Sequence, residues 1–406
     1  MKKDIDKLMK KKKIDVIYAE GGPSKDANLY YLLNGVKVFC RYIKKQGRKP
    51  YLIHSTIERE VAEKTGYRLI NMNRYNLKRI FDRYKDLNRA KAALTNEIFN
   101  DLKIKGNVVF YGSMQLGTAY NYLRELRRLN KKIKPHYEPE KDLITLARET
   151  KDKEEVARIK KAGRVVAQSF KSLLDYVRTL KIRNNAIWKS RTSKLLIGDL
   201  RAMLQRTLFE KGYVNSAGII VAQGRDAGVP HNAGNDREVV RPGKTIVFDI
   251  FPQELGGGYF FDFTRTVCFG YASKKLKKIY KTVRDAQDYV VSMLKVGKRT
   301  VEIERSLCRF FEKNGHPTFL TSPKIQSGYC HSLGHGLGLN VHETPTFGLF
   351  TTNKDRISRG HVFTVEPGLY YPDEGFGIRL EDVIYIDGRG RVVNLTRTAR
   401  RFVIEM

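Results

Sequence analysis

Two folded domains of different class are predicted from this sequence: an α/β domain over residues 1–150 and an α+β domain over residues 151–406. Three observations carry the prediction. The 406-residue chain exceeds one ordinary domain and is long enough to bury a sizeable core. Its first part alternates short apolar runs with helical patterns. A connector near Glu149–Lys153 then leads into a long amphipathic helix, beyond which strands, helices and glycine turns alternate.

Taken in order, Ile14–Tyr18 reads as a strand, and Tyr30–Leu33 as a helical stretch ending at Gly35. Val36–Tyr42 and Pro50–Ile53 are expected to pair across the Gln46-Gly47 turn. Strands at Tyr67–Ile70 and Asn107–Tyr111, with helices at Thr56–Lys64 and Thr118–Leu129, complete the first domain. After the connector, apolar residues recur at helical spacing through Val156, Ile159, Ala162, Val166 and Phe170, and charges fill the other face. Thr245–Phe251 and Tyr259–Cys268 are strongly β-forming and are joined by a Gly256-Gly257-Gly258 turn. Lys274–Leu294 and Thr300–Lys313 read as helices, the second stopped at Gly315. The tail, His361–Glu405, holds three strand-like runs with turns at Pro372–Gly375 and Asp387–Gly390.

Bulk properties exclude several classes. No apolar run is long enough for a transmembrane helix. The basic N-terminus is followed by no apolar signal segment, so a cytoplasmic location is expected. Cys40, Cys268, Cys308 and Cys330 are scattered, forming neither a disulfide framework nor a CxxC metal pattern, which suits a reducing compartment. The net charge of +34 would attract nucleic acid or anionic membranes. Its clusters (Lys10–Lys13, Lys274–Lys278, Arg397–Arg401) are short and far apart, however, and none interleaves aromatic residues for base stacking. The charge therefore reads as a dispersed, solvated surface, with nucleic-acid binding as the alternative.

Acidic residues and histidines recur where polar groups are costly. Asp249 sits in TIVFDIF and Asp262 in YFFDFTRT. A carboxylate among apolar neighbours must be paired or bound to a metal, and two of them on facing strands of a hairpin suggest a shared cation or a core ion pair. CHSLGHGLGLNVHE brings His331, His335 and His342 into a glycine-rich stretch, read as a metal or proton-transfer centre or as a polar loop. Glu366 lies in FTVEPGLYY. In FGIRLEDV, strand alternation puts Gly377, Arg379 and Glu381 on one face. Together these positions supply four carboxylates and an imidazole, a donor set suited to Mn²⁺, Co²⁺, Fe²⁺ or Zn²⁺.

The ordered motifs GRDAGVPHNAGNDREVVRPGKTIVFDI, FDFTRT, GHGLGLNVHE, VEPGLY and GIRLEDV resemble those of the pita-bread metallopeptidases, which include methionine aminopeptidase, aminopeptidase P and prolidase. The preceding α/β domain and the run ARETKDKEEVARIKKAG are similar to the creatinase, aminopeptidase P and prolidase branch. The resemblance implies a pseudo-symmetric antiparallel sheet backed by helices, behind a creatinase-like N-terminal domain. It implies two divalent ions, manganese before cobalt, zinc or iron, held by Asp249, Asp262, His335, Glu366 and Glu381, with Asp262 and Glu381 bridging. Glu366 would also be the general base, His231 and His342 would orient substrate and stabilise the tetrahedral intermediate, and Arg379 would lie near the substrate. The implied reaction is hydrolysis of Xaa-Pro bonds in proline-containing peptides by a homodimer.

Two departures stand out. Asp249 and Asp262 are separated by two residues more than is usual in the family, expected as a longer QELGGG turn or as a bulge. Thr346 occupies the place where some prolidases carry an arginine for the dipeptide carboxylate, which favours longer Xaa-Pro peptides. The alternatives are a non-peptidase enzyme on the same fold, or a basic scaffold of that fold binding nucleic acid or protein. His54, His136 and His316 are expected to be ordinary hydrogen-bonders, His331 and His361 to support neighbouring ligands, and Trp188 to pack.

Overall fold

The computed structural model describes residues 4–24, 26–216 and 218–406. The opening of the basic N-terminal run, Met1–Lys3, lies outside them. The chain divides into two compact units, one of residues 1–148 with Gly256–Gly258 and one of residues 149–255 and 259–406.

In the first unit, β1 (Val16–Gly21), β2 (Cys40–Lys45), β3 (Tyr51–His54), β4 (Arg68–Asn71), β5 (Gly106–Gly112) and β6 (Ile133–Pro135) form one mixed sheet in the order β4-β3-β2-β1-β5-β6. Helices α1 (Ile5–Lys11), α2 (Ala27–Leu32), α3 (Arg59–Glu63), α4 (Leu77–Arg83), α5 (Leu87–Asp101), α6 (Leu116–Leu129) and α7 (Leu143–Glu149) belong to the same stretch of chain. The core runs from Tyr18, Ile43 and Val108 on the sheet to Leu94, Ile98 and Phe99 on α5. The expected pairing of the second and third strands is present, Cys40 opposite His54, but Val36–Phe39 stay outside it. The helix expected over Thr56–Lys64 opens as a 3₁₀ turn, Thr56–Glu58, before α3.

The second unit begins with α8 (Lys153–Arg178). Asp152 caps it, accepting hydrogen bonds from the amides of Glu154 and Glu155, while the Glu155 side chain returns to the Asp152 amide. Its apolar stripe (Val156, Ile159, Ala162, Val166, Phe170) is buried, as its periodicity requires. Phe170 packs edge-on against Phe248 and Phe263. A small hairpin, β7 (Lys181–Arg183) and β8 (Ala186–Trp188), and helix α9 (Ile197–Glu210) follow. Next come β9 (Tyr213–Val214), β10 (Ile220–Gln223), β11 (Thr245–Asp249), β12 (Gln253–Glu254) and β13 (Thr264–Phe269). After α10 (Lys274–Met293) and α11 (Thr300–Lys313) lie β14 (His335–Gly336), β15 (Glu343–Thr346), β16 (Val362–Val365), β17 (Gly368–Tyr371), β18 (Phe376–Arg379), β19 (Asp382–Ile386), β20 (Val392–Asn394) and β21 (Val403–Ile404). The principal sheets run β10-β11-β13-β21 and β15-β14-β16-β19-β20, with β17 paired to β18.

Two expectations need correction. The tail forms six short strands rather than three runs, because Glu366-Pro367 separates β16 from β17 and Leu380-Glu381 separates β18 from β19. Proline has no N–H for a ladder, so the run breaks where Pro367 falls. The run Tyr259–Cys268 becomes a strand only at Thr264. The hairpin pairing nevertheless continues past the end of β11: the Ile250 amide donates to the Phe263 carbonyl at 2.9 Å, the Phe261 amide donates to the Pro252 carbonyl at 3.2 Å, and Gln253 of β12 bridges Phe260. Asp262 stands just before β13, not opposite Asp249.

The buried face of α11 carries a carboxylate. Glu304 is fully buried and accepts hydrogen bonds from the Tyr329 hydroxyl and the Leu333 amide, both at 2.7 Å. Burial pushes its pKa up to about 8. The native state thus holds its proton more tightly than the unfolded chain. The resulting stability is complete below the ordinary carboxylate pKa and drains away as pH rises to about 8. Glu304→Gln, which cannot ionise, is expected to gain on the wild type between pH 5 and 9 by a few kcal/mol, at about 1.4 kcal/mol per pKa unit. Urea unfolding at the two pH values checks this; parallel stabilities would refute it.

Candidate metal centre

Five short segments deliver the acidic and histidine side chains to one place. Asp249 ends β11, paired in register with Thr264 of β13. His335 opens β14, Glu366 follows β16, and Glu381 occupies the break before β19. Metal-competent atoms of Asp262, His335 and Glu381 all lie within 4.8 Å of one another. His335 Nε2 is 3.2 Å from Glu366 Oε1 and 3.7 Å from Asp262 Oδ2. Glu366 Oε1 also accepts from Thr364 Oγ1 at 3.0 Å. Asp249 is reached through Arg379, whose Nη2 donates to its Oδ2 at 2.5 Å. Thr264 ties the two halves together: its Oγ1 accepts from Arg379 Nε at 3.1 Å and donates to Glu381 Oε2 at 2.8 Å.

The electrostatics are those of a site short of positive charge. Burial, then neighbouring negative charge, pushes the carboxyls of Asp262 and Glu381 well above the usual range. Asp249 is also raised, by burial, although the Arg379 guanidinium opposes this. Glu366 goes the other way. Burial would raise it, but the hydrogen bond and charge of His335 prevail and hold it down to about 2. Burial likewise disfavours charge on His335, yet Glu366 and Asp262 hold its pKa up to about 9. Glu381 Oε1 is buried with no hydrogen-bond partner among the described residues. A crowded set of four carboxylates and one imidazole, with an uncommitted buried oxygen, fits a divalent cation, which would supply the missing charge.

The glycines let backbone approach backbone here. A Cβ on Gly336 would lie 2.1 Å from the Thr344 carbonyl oxygen, and one on Gly377 only 1.8 Å from that of Ala227. The second contact brings the Pro230-His231 segment against β18, where Arg379 Nη1 donates to the Pro230 carbonyl at 3.3 Å. His231 itself is exposed. His342 is closer in, its ring 4.3 Å from that of His335; burial, then the His335 charge, lowers its pKa.

Sequence reading missed two participants. Tyr370 accepts from Arg379 Nη1 at 2.8 Å and lies 2.8 Å from His331 Nε2. Having accepted from arginine, its hydroxyl donates to His331, whose Nδ1 faces the Ser332 carbonyl at 2.8 Å. Burial holds the His331 pKa down to about 4, consistent with a neutral ring. Thr264 is the other. The signal for both was period-two alternation, from Glu366 to Tyr370 and from Asp262 to Thr264.

The loop bearing His342 has its own brace. Lys151 Nζ pairs with Glu343 Oε2 at 2.9 Å, with side chains 1% and 7% exposed. Glu343 Oε1 accepts from the amides of Leu339 and Asn340 at 2.8 and 3.0 Å. Lys151→Met is expected to cost about 1–3 kcal/mol by stranding that carboxylate. Adding Glu343→Gln should recover part of the loss. Urea denaturation of both variants decides it; additive losses would exclude the brace.

Residues 157–388 match the model of metallopeptidase family M24. The chain is 25% identical to the Xaa-Pro dipeptidase of Pyrococcus horikoshii over 401 residues, covering 99% of this chain and 98% of that protein. It is 31% identical to the Xaa-Pro dipeptidase of Lactobacillus helveticus over 242 residues, 59% of this chain and 58% of that one. Among solved structures, the Xaa-Pro dipeptidase from Bacillus anthracis superposes with a TM-score of 0.75 at 22% identity, covering 98% of each chain. The X-Pro aminopeptidase from Thermotoga maritima does so with a TM-score of 0.74 at 24% identity, covering 98% and 99%. The fold is thus the expected one, an α/β domain followed by a pita-bread α+β domain. The chain belongs to metallopeptidase family M24 and is a hydrolase that uses divalent metal ions.

Proposed function

We propose that the protein hydrolyses Xaa-Pro peptide bonds at a centre of two divalent ions held by Asp249, Asp262, His335, Glu366 and Glu381. The observation that carries the reading is the convergence of Asp262, His335 and Glu381, with Glu366 in contact with His335. The family relatives named Xaa-Pro dipeptidase support the substrate class. When bound, such ions activate water for attack at neutral pH and stabilise charge developing on the attacked carbonyl.

The chain's own groups have distinct tasks in this reading. Glu366 takes the proton released by the attacking water and passes it towards the leaving proline nitrogen. His342 and His231 orient the substrate backbone and the developing oxyanion. Arg379, buried and hydrogen-bonded to Asp249, Thr264 and Tyr370, holds one ligand and keeps charge balance near the substrate. Proline substrates need a dedicated site because their tertiary amide has no N–H to donate. Residues 1–150 and 151–406 serve as N-terminal and catalytic domains, and the working form is a cytoplasmic homodimer loaded with manganese. The four free cysteines suit that compartment.

The test compares an Xaa-Pro dipeptide with an Xaa-Pro-Yaa tripeptide after loading Mn²⁺, Co²⁺ or Zn²⁺ into chelator-stripped protein. Release of the first residue is expected only with metal. Preference for the tripeptide would agree with Thr346, whose amide donates to Asp355 at 2.8 Å and whose side chain is no cation for a dipeptide carboxylate. Metal binding without turnover of either peptide would overturn the substrate assignment.

A further inference from the structure

The net charge of +34 leaves many cations outside the acidic centre. Three of them, Lys160, Arg164 and Arg397, line a cleft of about 220 Å³ on the second unit, between α8 and the stretch from Val393 to Arg397. One wall presents Lys160, Arg164 and Gln168, four residues apart and so on successive turns of one helix face. Gly163 lies between the first two, and a Cβ there would meet the Phe261 ring at 2.5 Å. Asn394 and Arg397 line the opposite side, and no carboxylate lines the cleft. Lys160, Arg164 and Arg397 form no ion pair among the described residues.

Three cations facing one recess without a counter-charge repel each other, and a bound anion reverses the sign of that interaction. Arginine forks match phosphate oxygens with paired N–H donors. The volume falls below the roughly 300–1,000 Å³ of organic-ligand pockets, so a small anion fits better than a whole cofactor. We propose that this cleft binds a phosphoryl anion, either inorganic or as the end of a nucleotide. The proposal does not depend on the peptidase assignment.

Calorimetric titration of the metal-loaded full chain with inorganic pyrophosphate, and separately with ADP, tests it. Because a metal centre also takes phosphate, the quantity read is the difference between the wild type and Arg164→Gln/Arg397→Gln. The wild type is expected to show one more saturable site, weakened about ten- to a hundred-fold in the variant by loss of charge-assisted hydrogen bonds. Equal affinity for the two ligands would identify the phosphoryl group alone as the determinant; tighter ADP would identify a nucleotide. Among the described residues neither arginine makes a side-chain hydrogen bond or ion pair, so melting temperature and peptidase activity should not change. Identical titrations of wild type and variant would overturn the proposal. So would equal weakening by Lys295→Gln/Lys313→Gln, exposed positions of the same unit that do not line the cleft, which would show only diffuse attraction.

Discussion

Glu366→Gln is expected to lower kcat on an Xaa-Pro peptide by about 10²–10⁴-fold, the range for losing a positioned proton acceptor. The carboxylate contacts His335 Nε2 and accepts from Thr364 Oγ1, so its position is fixed from two sides. Glutamine keeps the shape and can still accept from Thr364, but cannot take a proton. Elemental analysis of the same variant separates its two assigned roles. Retained metal with lost turnover identifies the proton acceptor; metal lost in step with turnover identifies a ligand alone. Turnover within a few-fold of wild type would remove Glu366 from the mechanism.

Asp382→Ala is expected to be the most damaging change to stability, costing about 3–5 kcal/mol, as expected when one member of a buried ion pair is removed. Its partner Arg265 is 1% exposed and donates to Asp382 Oδ1 at 2.8 Å. That guanidinium also donates to the carbonyls of Thr264, Glu381 and Thr398 at 2.9, 2.6 and 2.8 Å, and lies 4.8 Å from the Phe263 ring centroid. Without Asp382 it would remain as an uncompensated buried charge, tied to the carbonyl of a metal-competent residue. Arg265→Met/Asp382→Leu removes both charges and should recover most of the loss. Denaturant unfolding of the metal-free variants gives the answer directly. A loss below 1 kcal/mol for Asp382→Ala would mean the pair is not a stability element.

The sequence carried some elements close to their final form and missed others for identifiable reasons. The helix over Thr300–Lys313 was legible because periodicity, length and the following Gly315 agree on the same limits. Glu381 and Asp382 were legible as facing opposite ways: Glu381 accepts from Thr264, and Asp382 pairs with Arg265. The start of the strand after Asp262 was not: Tyr259–Phe263 pair back on Ile250–Glu254 only through isolated hydrogen bonds, and the continuous ladder begins at Thr264, a limit set by the partner strand and not by β-propensity.

By itself, the sequence determined which polar side chains stand among apolar neighbours, and therefore which must find a cation or a partner. That property is local: it is written in residues one and two positions away. Only the tertiary structure decided that Thr264 and Tyr370 link Arg379 to Glu381 and His331, that Lys151 reaches Glu343, and that Lys160, Arg164 and Arg397 share a cleft. Except for Tyr370 and Arg379, which meet across the β17-β18 hairpin, these meetings join segments far apart in the chain. They are set by how β11, β13, β16 and β19 pair and by which glycines admit close backbone contact, and no local pattern encodes that geometry.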